Sequence, residues 1–355
     1  MMKKVLLAAL LLGTTLSTQA QSEWFQNVKF SGYGMVQYQA SDQDGAENNG
    51  FNLRLVRMAL EGRAHTDFYW KVQMQINGNT YDPDKAGKTD IRLVDLFGEW
   101  QKYEFFKVKA GQFKRPFTFE NPMHPITQGF MSYSQNVSKL AGFSDRTGEQ
   151  GSNGRDLGLQ LQGDFLKDAS GRNLLHYQVG VFNGEGINQK DKDNRKDIIG
   201  GMWVMPIKGM RIGAFGWTGS RAGVGEKNRY ALSGEYTQDD WTFRTEYIHS
   251  QGWNSNFTSD KADGIYALCI APIQKNKMHV KARYDLYREA NSWNGFINDA
   301  NQFVGGAKTL YEIGADYLFT KNLQINVEYA RVNDRTINSD KHSYNMVDVE
   351  LDFRF

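Results

Sequence analysis

The C-terminal segment alternates strictly between apolar and polar side chains, and this pattern constrains the fold more than any other feature. Every second residue from Val347 to Phe355 is apolar, and the residues between them are charged. The same alternation recurs in residues 68–76, 157–161 and 323–329. A strand points successive side chains to opposite faces, whereas a helix would spread these apolar residues around its circumference. The pattern therefore predicts strands that have one apolar and one aqueous face.

Sixteen segments are predicted as strands on this basis. They are residues 27–40, 52–65, 67–77, 91–101, 104–113, 155–165, 173–183, 197–207, 209–219, 228–238, 240–250, 262–273, 276–289, 307–319, 321–332 and 344–355. Strands in soluble sheets have usually about five or six residues, while a tilted strand needs about 9–11 residues to cross a bilayer. The predicted lengths favour strands that span a membrane.

The predicted connections alternate in length after the first strand. The long ones are residues 41–51, 78–90, 114–154, 184–196, 220–227, 251–261, 290–306 and 333–343. The joins between them are short, and residues 166–172 form the longest of these. Long loops on one side and short turns on the other are typical of outer-membrane barrels, which must close because hydrocarbon leaves no partner for a free strand edge. We therefore predict an all-β chain that forms a transmembrane antiparallel β-barrel of about sixteen strands.

The mean hydropathy of −0.59 excludes a helical membrane protein but agrees with a barrel, in which only every second strand residue faces lipid. A soluble periplasmic β-sandwich or propeller would also explain the alternation. It would not explain the connection lengths, and no repeat of a propeller's period is visible.

The N-terminus carries the pattern of a secretory signal peptide. Lys3 and Lys4 precede an apolar run, residues 5–12, and small residues surround Ala20. We expect cleavage after residue 20, which leaves residues 21–355 as the barrel. The net charge of +2 comes from the two leader lysines, so the mature chain is neutral and shows no basic excess for nucleic acid. An even strand count places both termini on the short-turn side, which we expect to be periplasmic in a Gram-negative outer membrane.

Four motifs give the chain a family resemblance. They are Leu53–Gly62 (LRLVRMALEG), Gly111–Phe117 (GQFKRPF), Gly154–Gly158 (GRDLG) and Gly180–Gly184 (GVFNG). In their order and separation they resemble the phosphate-selective porin O and P family of Gram-negative outer membranes. The resemblance implies a sixteen-stranded barrel, usually a homotrimer, whose third long extracellular loop folds inward and narrows the pore. In this chain that loop is residues 114–154, which hold half of the prolines; a loop that only covers the mouth is the alternative.

Cationic residues of the predicted inward face, together with the two cations that begin the long loop, Lys114 and Arg115, are the candidate pore-lining and anion-binding residues. They are Arg57, Arg63, Lys71, Lys107, Lys109, Lys114, Arg115, Arg155, Arg244, Lys281 and Arg283. Cations in a narrow passage concentrate anions and reject other cations. The expected function is passive diffusion of small hydrophilic solutes with a preference for anions, which the resemblance suggests include phosphate.

The same inward face carries many acids, so each cation has a second interpretation as a structural ion pair. These acids are Asp95, Glu99, Glu246, Asp285, Glu312, Asp316, Glu328, Asp348, Glu350 and Asp352. The predicted second to sixth strands are the more basic ones and the last two the more acidic, which predicts a transverse field across the pore. Tyr33, Phe97 and Tyr287 are aromatic candidates for the lumen, either as a platform for sugars or as packing.

Catalytic, metal and cofactor motifs are not found in the sequence. No two of the six histidines have zinc-motif spacing, and Cys269 is the single cysteine. Expected partners are small anions or other hydrophilic solutes, outer-membrane lipid and lipopolysaccharide. An outer-membrane lipase or protease and a non-conducting structural or adhesion barrel remain alternative functions.

Overall fold

The computed structural model describes residues 28–77, 91–149 and 151–355. The predicted signal peptide, residues 1–20, lies outside the described residues. The strands are β1 Lys29–Ser41, β2 Asn48–His65, β3 Phe68–Gln75, β4 Arg92–Tyr103, β5 Phe106–Lys114, β6 Arg155–Lys167, β7 Asn173–Phe182, β8 Asp197–Val204, β9 Met210–Arg221, β10 Gly225–Gln238, β11 Trp241–Gln251, β12 Lys261–Gln274, β13 Met278–Glu289, β14 Gly295–Ile297, β15 Phe303–Thr320, β16 Leu323–Asp334 and β17 Ser343–Arg354. Within the described ranges one helix, α1, spans Gln135–Leu140.

All strands of the described chain pair antiparallel, and the sheet closes on itself. The short strand β14 pairs only with β15, and the other sixteen strands form the ring. β1 pairs with β2 on one side and with β17 on the other, which joins the two ends of the chain. The predicted fold class, a sixteen-stranded antiparallel barrel, is confirmed.

The seam between β1 and β17 explains the aromatic end of the chain. The backbones of Gly32 and Phe355 exchange hydrogen bonds of 2.9 and 3.0 Å. A Cβ added at Gly32 would lie 2.4 Å from the Phe355 ring, so the ring occupies the space that a side chain would take. The terminal aromatic residue therefore covers a glycine at the closure.

The two faces of the wall differ as the alternation predicts. On β6, Leu157 and Leu159 are 44% and 48% exposed on the outside, whereas Asp156 and Gln160 are buried. Apolar side chains thus form the outer surface, and polar side chains form the inner one. This arrangement inverts that of a soluble protein, as a wall between lipid and an aqueous lumen requires.

Three local features differ from the predicted connections. Residues 220–227 are predicted as a long loop, but β9 and β10 continue pairing up to Arg221 and Gly225, which leaves a turn at 222–224. Within the predicted 290–306 loop, β15 already begins at Phe303 and β14 folds back on it. The helix α1 lies inside the predicted loop 114–154, where side-chain alternation gives no signal.

The connection between β5 and β6 packs against inward-facing residues of the distant wall. The Glu246 carboxylate accepts the backbone N–H groups of Phe119 and Glu120 at 2.7 and 2.8 Å. Glu328 accepts the N–H of Met131 at 2.9 Å, and α1 contacts β11, β12 and β13. In the described parts of the chain, no helix has the length and apolarity to cross a membrane.

An aromatic cluster supports the same connection near its start. The Phe117 ring lies 5.4 Å from Trp217, and the Phe119 ring lies 5.5 Å from both Trp203 and Phe215. Phe117 and Phe119 are almost completely buried. The main apolar core of the barrel therefore lies inside it, between this connection and the wall around β8–β10.

Candidate pore and anion-binding cavity

A cavity of about 400 Å³ lies between the β5–β6 connection and the wall formed by β1–β7. Among the described residues, six cationic side chains line it, against one carboxylate, Asp95. The cations are Arg57, Lys71, Lys109, Lys114, Arg115 and Arg155. The remaining lining is neutral, with glutamines, aromatic rings and the turn at residues 122–125.

The strand registers explain why these cations converge. Arg57 lies opposite Gln75, and Lys71 lies opposite Phe97, on neighbouring strands of the same wall. Phe97 in turn lies opposite Gly111, two residues after Lys109. Because side chains across a ladder point to the same face, β2–β5 project these groups together into the lumen.

Two of the lining cations are engaged by buried carboxylates. Arg155 binds Asp95 through Nε and Nη2 at 2.6 and 3.0 Å. Arg115 binds Glu149 at 2.8 and 3.1 Å and Asp156 at 2.8 Å. Burial lowers the pKa of Arg115, but the two carboxylates outweigh it and raise that pKa above its ordinary value. Both arginines therefore hold the base of the β5–β6 connection in place, as structural ion pairs.

Lys114 also acts as an anchor. Its Nζ donates to the carbonyl oxygens of Asn121 and Met123 at 2.6 and 2.9 Å, and to the Tyr133 hydroxyl at 2.8 Å. These acceptors use all three of its donors. The lysine orients the turn that forms one side of the cavity.

Arg57, Lys71 and Lys109 are the lining cations that no described carboxylate holds tightly. Arg57 bonds to the neutral amide oxygen of Gln75, and it forms no ion pair with any described residue. Lys71 and Lys109 lie 3.5 and 3.4 Å from Glu61 and Glu99, and both are partly exposed to the lumen. At these distances the ion pairs are loose, so neither lysine is fixed in place by its carboxylate.

Five of the predicted candidates lie away from the cavity. Arg244, Lys281 and Arg283 pair with Glu235, Glu328 and Glu312. They also donate to the carbonyl oxygens of Gln128, Gly129 and Ser132 at 2.8–2.9 Å. Their role is to fasten the β5–β6 connection to the far wall.

Arg63 and Lys107 lie near the short turns. Arg63 donates to the Thr66 carbonyl, and Lys107 lies 3.3 Å from Asp164. Neither residue belongs to the cavity lining. The sequence predicts all eleven cations as pore-lining, but only their partners in the folded barrel distinguish those that anchor the β5–β6 connection from those that no described carboxylate holds tightly.

Carboxylates concentrate on the wall formed by β16 and β17. Glu350 pairs with Arg54 at 3.1 Å, Asp348 accepts from Gln37 at 2.8 Å, and Asp352 accepts from Asn326 at 3.0 Å. The cations of the cavity lie on β2–β6. In the ring only β1 separates β17 from β2, so these carboxylates adjoin the cations of β2–β6 and do not lie across the lumen from them. The predicted transverse field stays a prediction.

Two buried carboxyl groups of the β5–β6 connection have shifted pKa values of opposite sign. Burial raises the pKa of the Glu120 carboxyl. Burial would also raise the pKa of Asp145, but the Arg229 guanidinium, at 2.7 and 2.8 Å, outweighs it and holds that pKa below its ordinary value. Protonation of the carboxyl group is therefore favoured at Glu120 and disfavoured at Asp145.

Sequence reasoning missed the glutamines and Tyr69 of the lining. Gln73, Gln160, Gln162 and Gln178 all face the cavity. These glutamines alternate with apolar residues in the sequence, so the alternation alone could have identified them as residues of the inner face. No group of His, Cys, Asp and Glu within the described ranges could hold a metal ion.

The sequence profile of the family described as phosphate-selective porin O and P matches residues 30–192. A comparison with curated proteins gives no match. Among solved structures, the chain is similar to Salmonella typhi OmpF in complex with daunomycin, with 12% identity, a TM-score of 0.67, and coverage of 94% of this chain and 98% of that one. It is also similar to an anion-selective porin from Comamonas acidovorans, with 11% identity, a TM-score of 0.63, and coverage of 93% and 99%. The channel DcaP of Acinetobacter baumannii gives 11% identity, a TM-score of 0.62, and coverage of 93% and 97%. At these identities the likeness to solved structures concerns the fold.

Proposed function

Because residues 30–192 of this chain belong to the phosphate-selective porin O and P family, we propose that the protein is an outer-membrane diffusion channel that prefers small anions, phosphate among them. The family match and the porin fold support an outer-membrane channel of a Gram-negative bacterium. The anion preference rests on one observation, the projection of Arg57, Lys71 and Lys109 into a cavity whose described lining holds a single carboxylate, Asp95.

The β5–β6 connection, residues 114–154, is the proposed constriction. Its hydrogen bonds to Glu246, Glu328 and Asp285 hold it against the far wall. One space that remains lies against β1–β7, where Arg57, Lys71 and Lys109 project. An anion that enters this passage exchanges water for cationic donors, while a cation meets their repulsion.

Neutral groups supply the rest of the path. Amides of Gln160, Gln162 and Gln178 offer donors and acceptors that replace lost water contacts without binding an ion tightly. Conduction needs sites that are favourable to enter yet weak enough to leave. A wall of loose lysine pairs and neutral amides meets that requirement.

We further propose a homotrimer with periplasmic termini, surrounded by lipid and lipopolysaccharide and exported by the leader at residues 1–20. Both described ends of the barrel lie at the side of the short turns, since β1 begins opposite the end of β17. The apolar outer surface gives lipid or another copy of the chain a face to cover.

Planar-bilayer recording of the purified protein tests the proposal. In a KCl gradient, the reversal potential should report a higher permeability for chloride than for potassium, and insertion should occur in groups of three conductance steps. Phosphate added to one side should reduce the chloride current as it occupies the cavity. Cation selectivity would contradict the anion preference, and a silent bilayer would favour a structural barrel.

A further inference from the structure

Aromatic side chains form a continuous surface in the cationic cavity. The ring centroids of Tyr69 and Phe97 are 6.0 Å apart, and those of Phe97 and Phe113 are 5.9 Å apart. All three residues line the cavity, and Phe97 is half-buried on the inward face of β4. A polar lumen thus contains an apolar wall where the alternation would place a hydrophilic residue.

These aromatic rings offer no favourable interaction to an inorganic oxyanion. The face of an aromatic ring carries partial negative charge, so it attracts cations and repels anions. A cavity of about 400 Å³ also lies within the range of about 300–1,000 Å³ that is typical of pockets for organic molecules. A ring placed against Phe97, by contrast, would bury apolar area in a favourable offset or edge contact.

The cations lie where the charged substituent of such a ring would reach. Lys109 Nζ lies 5.0 Å from the Phe97 centroid and 5.4 Å from that of Phe113. Lys71 projects from the position opposite Phe97 on β3. Since both lysines form only loose pairs with Glu99 and Glu61, an incoming carboxylate or phosphate can draw them away.

We propose that this cavity selects small organic anions that carry a ring, with the ring against Phe97 and the anionic group between Lys109, Lys71 and Arg57. The inference rests on the proposed anion channel and specifies its substrate class. Gln160, Gln162 and Gln178 lie around the same space and can bond to hydroxyl groups on the ring. An aromatic carboxylate and a sugar phosphate share this chemistry.

Current block in planar bilayers tests the proposal with matched pairs of anions. Benzoate and acetate differ by the ring, as do glucose 6-phosphate and inorganic phosphate. The half-blocking concentration of the ring-bearing member should be roughly three- to tenfold lower, as expected for one aromatic contact. A preference in the first pair identifies aromatic acids, and one in the second pair identifies sugar phosphates.

Two substitutions separate the contribution of the aromatic ring to current block from that of the positive charge. Phe97→Leu keeps an apolar side chain but removes the ring, so it should abolish the preference for the ring-bearing member of each pair. Phe243→Leu is the matched control, because Phe243 is 45% exposed on the outer surface. Lys109→Gln should weaken block by both members of each pair.

The outcomes separate this inference from the function on which it rests. A wild-type channel without anion preference in KCl overturns the proposed function. An anion-preferring channel that treats benzoate like acetate and glucose 6-phosphate like phosphate overturns the ring inference alone. A preference that persists in Phe97→Leu also overturns it.

Discussion

Arg57 donates both Nε and Nη2 to the side-chain oxygen of Gln75, at 3.1 and 3.0 Å. Arg57 is 2% exposed, yet its partner on β3 is a neutral amide. A glutamine fixes the direction of the guanidinium without cancelling its charge. The cavity thereby keeps a positive charge that a carboxylate at the same position would remove.

Arg57→Gln should therefore lower the ratio of anion to cation permeability. A unit charge contributes about 1 kcal/mol at 4 Å in water, which corresponds to roughly fivefold in an equilibrium constant. We expect a fall of that order in the ratio obtained from reversal potentials. Arg63→Gln is the matched control, since Arg63 lies on the same strand but outside the cavity. An equal effect of both substitutions would contradict the assignment of Arg57.

Glu246→Gln should loosen the β5–β6 connection. The Glu246 carboxylate accepts from the N–H groups of Phe119 and Glu120 and from the Tyr266 hydroxyl at 2.7–2.8 Å. Hydrogen bonds to a charged group contribute about 1.5–3 kcal/mol each, and a neutral amide provides a weaker acceptor. Single-channel traces should show larger current fluctuations. Glu226→Gln, at an exposed position of β10, should leave the traces unchanged.

The connection should lose stability in acid through Asp145. Its pKa is lowered in the folded state because Arg229 stabilises the carboxylate, so the stabilisation is complete above the ordinary value of 3.8. It is lost as the pH falls below that value toward the lowered pKa. Unfolding followed by circular dichroism should therefore show constant stability from pH 8 to about pH 5 from this group and a decline below about pH 4.

Asp145→Asn provides the check on this assignment. It leaves the Arg229 guanidinium buried without its carboxylate, which typically costs about 3–5 kcal/mol. The variant should be less stable at neutral pH and should show a smaller decline in acid. An undiminished decline would assign the acid sensitivity to other carboxyl groups.

Gly111→Ala should destabilise the wall beside the cavity. Gly111 has a φ of +131°, and an added Cβ would lie 2.2 Å from the Leu96 carbonyl oxygen and 2.7 Å from the Phe97 Cα. Strain of this kind typically costs about 1–3 kcal/mol. Gly216→Ala is the control, because nothing lies within 4 Å of its added Cβ. Denaturant midpoints of the two refolded variants should differ, and equal midpoints would argue against a position at Gly111 that only glycine can occupy without strain.

The alternation of side chains predicted most of the wall, because a strand between lipid and water must alternate whatever its partners are. It located β6 and β17 almost to the residue. It did not locate the turn at 222–224 or the helix α1, because neither depends on a difference between two faces. The turn comes from continued ladder pairing, and α1 forms against three strands that are distant in sequence.

The alternation of side chains along each strand also predicted that the candidate cations of the strands lie on the inner face, because the local sequence determines which side of the sheet a residue occupies. The role of each cation depends on partners from far along the chain. Arg155 meets Asp95 across sixty positions of sequence, and Arg283 meets a carbonyl oxygen of the β5–β6 connection. Among the described arginines of the cavity, Arg57 forms no ion pair and instead donates to the neutral amide of Gln75, whereas Arg115 and Arg155 pair with carboxylates. The sequence by itself therefore determined a barrel with a charged lumen. The tertiary structure decided which cations are neutralised by carboxylates, because the distances between these groups are set only when the barrel closes.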